Sequence, residues 1–171
     1  MRVRGRLGLP FIMSHPKDGD GTPDPILKTR QVTPWLYRGA RPGRIGIIKL
    51  KEMDIRTIIN LEAKLFEQEP WEVKKERAWA SEAGIRFEHV PMHPIWAPRA
   101  ELIDRALALI QDPTSPPIYI HCAQGVDRTG LIIAAYRVKV EGWTPQQASE
   151  EMARFGFHRY LFWWKRALSD A

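Results

Sequence analysis

The stretch Pro117-Ile-Tyr-Ile-His-Cys-Ala-Gln-Gly-Val-Asp-Arg-Thr-Gly130 decides how the remainder of the chain is interpreted. Its first five residues, Pro117 to His121, are short, apolar and β-branched, the pattern of a central strand buried on both faces. From Thr129 the run LIIAAYRVKVEG is helical in pattern and ends at Gly142. Between strand and helix stand a nucleophile, Cys122, and a guanidinium, Arg128, separated by Ala123, Gln124, Gly125, Val126 and Asp127. A loop closing on a helix N-terminus aims several backbone N–H groups at one point. The helix dipole adds positive potential there, so a phosphate dianion fits. Gly125 lets the loop curl tightly.

The same field stabilises a thiolate, so Cys122 is expected to be nucleophilic near neutral pH. Arg128 presents a planar pair of donors that can hold two phosphoryl oxygens and follow them through the transition state. The Thr129 hydroxyl can stabilise the sulfur as a leaving group when water attacks a phospho-cysteine. His121, just before the nucleophile, is placed to orient the loop by hydrogen bonding. Average residue usage gives a chance match to these fixed positions on the order of one in a million, which makes coincidence a poor explanation.

Working outward, short apolar runs alternate with helical patterns: Leu36 to Arg38, Gly43 to Met53, Thr57 to Leu61, Trp71 to Ala83, Arg86 to Pro91 and Arg99 to Gln111. This rhythm predicts an α/β fold, a central, mainly parallel sheet flanked by helices, with the active site on a strand–phosphate loop–helix unit. Thr144 with Gln147 three residues on predicts a capping box and a further helix, and Leu161 to Leu168 a closing helix. Residues 1–28 mix Gly, Pro, Asp and Arg without apolar period and are expected to be a flexible lead-in, leaving residues 29–171 as the catalytic domain. No internal repeat is present.

With 171 residues, 44% of them apolar, the chain is sized for one core and one site. No run approaches the roughly 18 apolar residues of a membrane helix, so no membrane span and a cytoplasmic location are expected. A single cysteine excludes a disulfide scaffold. The net charge of +6 attracts anions of every kind without choosing among them. Arg2, Arg4 and Arg6 supply part of it from what reads as a solvated tail.

HCAQGVDRTG resembles the HCxxGxxR[ST]G signature of the protein tyrosine phosphatase superfamily, in particular its compact bacterial and atypical dual-specificity members. Weaker similarity runs from about Val32 to Trp164, through VTPWLYRGARP, TIINLE and a Gly-Phe-His segment. The resemblance implies metal-independent phosphomonoester hydrolysis through a phospho-cysteine, with no cofactor. Family members usually carry a general-acid aspartate about thirty residues before the cysteine; here His89 to Pro98 holds no carboxylate. Asp127 is the favoured acid, because myotubularin-like inositol-lipid phosphatases carry an aspartate at the same place before the loop arginine; pairing with a basic neighbour or capping the helix is its alternative role. His93, on the expected acid loop, is the second candidate; His158 is a further alternative acid or pocket-rim residue, and Arg159 is placed with it at the rim. Trp96, Phe155, Phe157, Phe162 and Trp163 are expected to be core rather than substrate platform.

Phosphotyrosine, phosphoserine and phosphothreonine proteins are the expected substrates, with small phosphoesters as further partners and a monomer as the expected state. Inositol phosphates or phosphoinositides, an RNA 5′-phosphate and a catalytically silent phosphate-binding module stand as alternatives. Ala123, Gln124 and Val126 are not basic, which argues against multiply phosphorylated head groups, and the absence of an aromatic-rich RNA motif argues against nucleic acid.

Overall fold

In the computed structural model, which describes residues 29–165 and 168, the strand before the cysteine spans Ile118–His121 and is buried throughout. In chain order the elements are β1 (Arg30–Thr33), β2 (Leu36–Gly39), α1 (Arg44–Glu52), β3 (Thr57–Glu62), α2 (Trp71–Glu82), β4 (Arg86–Met92), α3 (Ala100–Gln111), β5 (Ile118–His121), α4 (Asp127–Lys139) and α5 (Pro145–Arg154). A 3-10 helix, Arg159–Lys165, follows. The expected lead-in, with Arg2, Arg4 and Arg6, lies outside the described residues.

The sheet runs β1-β2-β5-β3-β4. Its four inner and outer neighbours from β2 to β4 pair in parallel, and only the edge strand β1 runs antiparallel, against β2. The expected mainly parallel α/β fold is therefore the observed one. Period-two alternation on β5 divides its side chains between two cores. Ile118 and Ile120 join Ile103, Ile110, Leu131, Ile133 and Met152 under α3, α4 and α5. Tyr119 joins Ile47, Leu50 and Ala80 under α1 and α2. Each such apolar side chain contributes roughly 1.5–3 kcal/mol by leaving water. Covering both faces brings the C-terminal ends of β2, β3, β4 and β5 to one edge, where ligands bind in parallel sheets.

Several boundaries differ from the sequence expectation. Helix α4 opens at Asp127 rather than Thr129, its first-turn bond running from Gly130 N–H to Val126 O at 2.8 Å, so Asp127 and Arg128 belong to the helix. The capping box is present: Thr144 Oγ1 accepts Gln147 N–H at 3.2 Å, and Gln147 Oε1 accepts Thr144 N–H at 2.9 Å. Of the expected closing helix Leu161 to Leu168, residues 161–165 belong to a 3-10 helix kinked at Leu161 and Leu168 is helical, while 166–167 lie outside the described residues. Strand β1 is too short to show a period and was not foreseen. Among the described residues no helix is long and apolar enough to cross a membrane.

Candidate active site

Cys122 leaves the end of β5 only 2% exposed. Burial by itself pushes its thiol up. The Arg128 guanidinium, the Thr129 hydroxyl and the backbone N–H groups of Thr129 and Gly125 outweigh that, and the net effect is a thiol held below its ordinary range. Thr129 Oγ1 is buried without a partner at hydrogen-bond geometry, which leaves its hydroxyl to the sulfur. The foreseen loop–helix cradle thus acts on the sulfur atom itself.

The loop holds this shape because buried groups beneath it fix its carbonyls. Arg38, on β2 and 2% exposed, donates to Gly125 O at 2.9 Å and Val126 O at 3.4 Å. With those carbonyls drawn down, the N–H groups of the turn face the sulfur. The Phe155 ring lies 4.5 Å from the Arg38 guanidinium and packs it in place. Gly125 has φ +71°, and a Cβ there would meet Gly39 O at 2.3 Å, so both backbone conformation and space require glycine. Arg128 Nη1 donates to Ala63 O at 3.2 Å and Met92 O at 3.4 Å, which aims the guanidinium across the ends of β3 and β4.

On the other side of β5 a charged network supports His121. His121 Nε2 meets Glu76 Oε1 at 2.7 Å, Nδ1 lies 3.3 Å from Cys122 O, and Glu76 Oε2 accepts Asn60 Nδ2–H at 2.9 Å. Glu62 is clasped by Arg41, and its Oε1 lies 3.9 Å from His121 Nδ1. Burial pushes the His121 imidazole toward neutrality, yet Glu76 and then Glu62 reverse this and hold it above its ordinary value. Burial likewise pushes the Glu62 carboxyl up, and Arg41 and His121 bring it below the usual range. Among the described residues, Glu62, Glu76 and His121 are the group that could hold a metal ion, with ligand atoms within 4.8 Å of one another. Arg41 and Asn60 already occupy their oxygens, so the trio fits a charge-balanced support of the loop.

Ala123 and Arg128 form the floor of a cleft of about 590 Å³, walled by Arg41, the segment Ala63 to Glu67, and Pro94. An adjoining groove is lined by the same segment together with His93 and Trp96. The rim is apolar: Phe66 is 99% and Trp96 67% exposed. Contrary to expectation, then, Trp96 is not core. Phe157 is buried, Trp163 packs against the same core, and Phe155 serves Arg38; the Phe162 side chain lies outside what is described.

The acid candidates part company. His93 Nδ1 accepts the backbone N–H groups of Ile95 at 3.1 Å and Trp96 at 3.0 Å, so its lone pair closes a turn. Both oxygens of Asp127 are taken by His158: Oδ1 accepts the backbone N–H at 2.9 Å, and Oδ2 meets the ring Nδ1 at 2.8 Å. Asp127 thus has the basic partner that its alternative role foresaw. Gln124 is exposed, Val126 is half-buried beside the loop, and Arg159 is exposed at the start of the 3-10 helix. Arg38, Glu62 and Glu76 were missed. The one available signal was a charged residue inside apolar strand patterns, LYRG and TIINLE.

Known proteins resemble this chain over most of its length. The family model described as DSP-PTPase phosphatase fused to NAD+ kinase matches residues 22–160. The dual specificity protein phosphatase TpbA of Pseudomonas aeruginosa (strain UCBPP-PA14) is 32% identical over 135 residues, covering 78% of this chain. The chain spans 57% of the length of that curated relative. The crystal structure of P. aeruginosa TpbA superposes with a TM-score of 0.68 at 27% identity over 84% of each chain. The core catalytic domain of the PP-IP phosphatase SIW14 from S. cerevisiae shares the fold, with a TM-score of 0.69 at 24% identity over 82% of this chain and 83% of that one.

Proposed function

Since the chain belongs to the dual-specificity class of the protein tyrosine phosphatase superfamily, we propose that it hydrolyses phosphomonoesters through a phospho-cysteine on Cys122, without metal or cofactor. The observation that carries this is the lowered thiol pKa of a buried cysteine, aimed from a strand end at a helix N-terminus and flanked by Arg128. The thiolate attacks phosphorus while Arg128 and the N–H groups of the Ala123 to Thr129 turn hold the equatorial oxygens. Thr129 then eases departure of the sulfur as water releases phosphate. The catalytic unit is assigned to residues 29–171, with 1–28 as its lead-in.

Phosphorylated side chains, phosphotyrosine foremost, are the substrate class. Of the cations lining the cleft, Arg41 is neutralised by Glu62, and Lys64 pairs with Glu72 at 2.9 Å, which leaves Arg128 for one phosphoryl group. Leu65, Phe66 and Pro94 offer apolar surface to a ring or side chain above it. TpbA is named a dual specificity protein phosphatase, in keeping with this reading. A multiply charged inositol ligand finds fewer free cations here. Phosphate release from a phosphotyrosine peptide in chelator, abolished in Cys122→Ser, is the expected result. Binding of the peptide by wild type without release would replace the enzyme with a binding module.

A further inference from the structure

We infer that the groove beside the catalytic cleft is a subsite for an apolar side chain flanking the phosphorylated residue of a peptide substrate, with Trp96 as its specificity-determining residue. The inference rests on the phosphatase reading above. The groove, of about 690 Å³, shares the wall Ala63 to Glu67 with the cleft over Arg128 and continues past it to His93, Trp96 and Leu102. A phosphoryl group seated on Arg128 brings the neighbouring residues of its peptide over this shared wall. Extended chain advances about 3.3 Å per residue, so the groove lies within reach of a side chain one or two positions away.

Two exposed aromatic side chains stand on this groove, each held out by a closed turn. The Trp96 turn is fixed from both sides. His93 Nδ1 accepts the N–H groups of Ile95 at 3.1 Å and Trp96 at 3.0 Å, and the indole N–H of buried Trp164 donates to Ile95 O at 2.9 Å. The His93 ring lies beside the Trp96 ring, with centroids 6.2 Å apart. Phe66 rides a turn in which Lys64 N–H donates to Glu67 O at 2.8 Å, and it borders both the cleft and the groove. A large apolar side chain already ordered in water loses little further freedom when a ligand covers it. Trp71 makes the contrast: it too is exposed, but the Lys75 ammonium already lies 3.5 Å from its ring centroid.

The charges around the groove select against an ionic occupant. Lys64 and Arg99 stand against Glu67 and Glu101, two of each sign, and Lys64 is already taken by Glu72 at 2.9 Å. Leu65, Phe66, Pro91, Trp96, Pro98 and Leu102 supply the apolar surface. A side chain the size of Leu or Phe covers Trp96 and Phe66 and is itself removed from water. An Asp or Lys there meets charges of both signs and gives up hydration for no net attraction. In this scheme Arg128 selects the phosphoryl group and Trp96 selects the sequence beside it.

The test uses phosphotyrosine peptides with alanine at the two positions on either side, and versions carrying a single Leu, Phe or Asp at each of these, in wild type, Trp96→Ala, Trp96→Phe and Cys122→Ser, with a small aryl phosphate alongside. Wild type is expected to show a kcat/KM about 10-fold higher for Leu or Phe than for alanine at one or more positions, through KM, with no gain for Asp. Trp96→Ala should bring that ratio close to one, and Trp96→Phe should keep most of it. The ratio reports the subsite itself, since a general disturbance of the fold lowers both peptides alike. A wild type indifferent to Leu and Phe, a preference for Asp, or a ratio retained in Trp96→Ala would overturn the inference. Turnover of the aryl phosphate with no peptide turned over would overturn it as well, leaving the phosphatase reading in place. If wild type turned over neither kind of substrate, or Cys122→Ser turned over both, the phosphatase reading itself would fall.

Discussion

The floor of the cleft and its rim are built on opposite physical terms. Beneath Cys122 the charged side chains are paired: buried Arg38 with loop carbonyls, buried His121 with Glu76, and buried Glu62 with the half-buried Arg41. Above it, the Ala63 to Glu67 segment and the turn around Trp96 present apolar side chains to water, with Phe66 wholly exposed. The floor preorganises one arrangement of N–H groups around sulfur, where small displacements are costly. The rim leaves apolar area unburied, which gains by covering a substrate. Chemistry belongs to the rigid layer and recognition to the open one.

Substitutions separate the two layers. The largest effect is expected from Arg128→Lys, which keeps charge but loses the planar pair of donors; kcat should fall by about 10³-fold while the folded state persists. Gly125→Ala follows, because its Cβ would sit 2.3 Å from Gly39 O in a left-handed backbone conformation. A loss of about 3 kcal/mol in denaturant unfolding, together with a slower reaction of Cys122 with iodoacetate, is the expected outcome. Stability with neither change would show that the loop has room to shift.

Glu76→Gln probes the support under His121, and removing one partner of a buried ion pair should cost about 3 kcal/mol. The pH dependence has a definite sign. His121 is raised in the folded state, so its contribution is complete below about pH 6.5 and is lost as pH rises through the raised value. Glu62 is lowered, so its contribution stands above its unfolded value and is lost as pH falls through the lowered one. Wild type should be most stable between these limits, and Glu76→Gln should flatten the alkaline decline. The smallest effect belongs to the rim: Phe66→Ala should raise KM for a phosphotyrosine peptide about 3-fold to 10-fold, with kcat and Tm unchanged. An equal fall in kcat would blur the division between the layers.

The same division governs what the sequence revealed. Strand, nucleophile, turn and helix lie within Pro117 to Gly130, so their pattern and spacing carry the site locally, and the mainly parallel α/β class follows from alternating strand and helix periods. Arg38 reaches Gly125 across 87 residues, and Glu76 reaches His121 across 45, so no local pattern could join them. Asp127 was legible as a candidate acid and His158 as an alternative acid or rim residue; their pairing across 31 residues was not. His93 stood where an acid belongs by spacing, but only backbone geometry shows its Nδ1 closing a turn. Trp96 followed the usual rule that aromatics fill cores, and a loop beyond the strand ends kept it outside.

The central claim is that the Cys122 sulfur takes the phosphoryl group. Rapid acid quench of wild type during turnover of an aryl phosphate, followed by mass spectrometry of the peptide carrying Cys122, tests it most directly. A phosphoryl adduct on Cys122, absent in Cys122→Ser and accumulating in Thr129→Ala as sulfur departs more slowly, is the predicted result. Turnover without an adduct on Cys122, or undiminished turnover in Cys122→Ser, would contradict it.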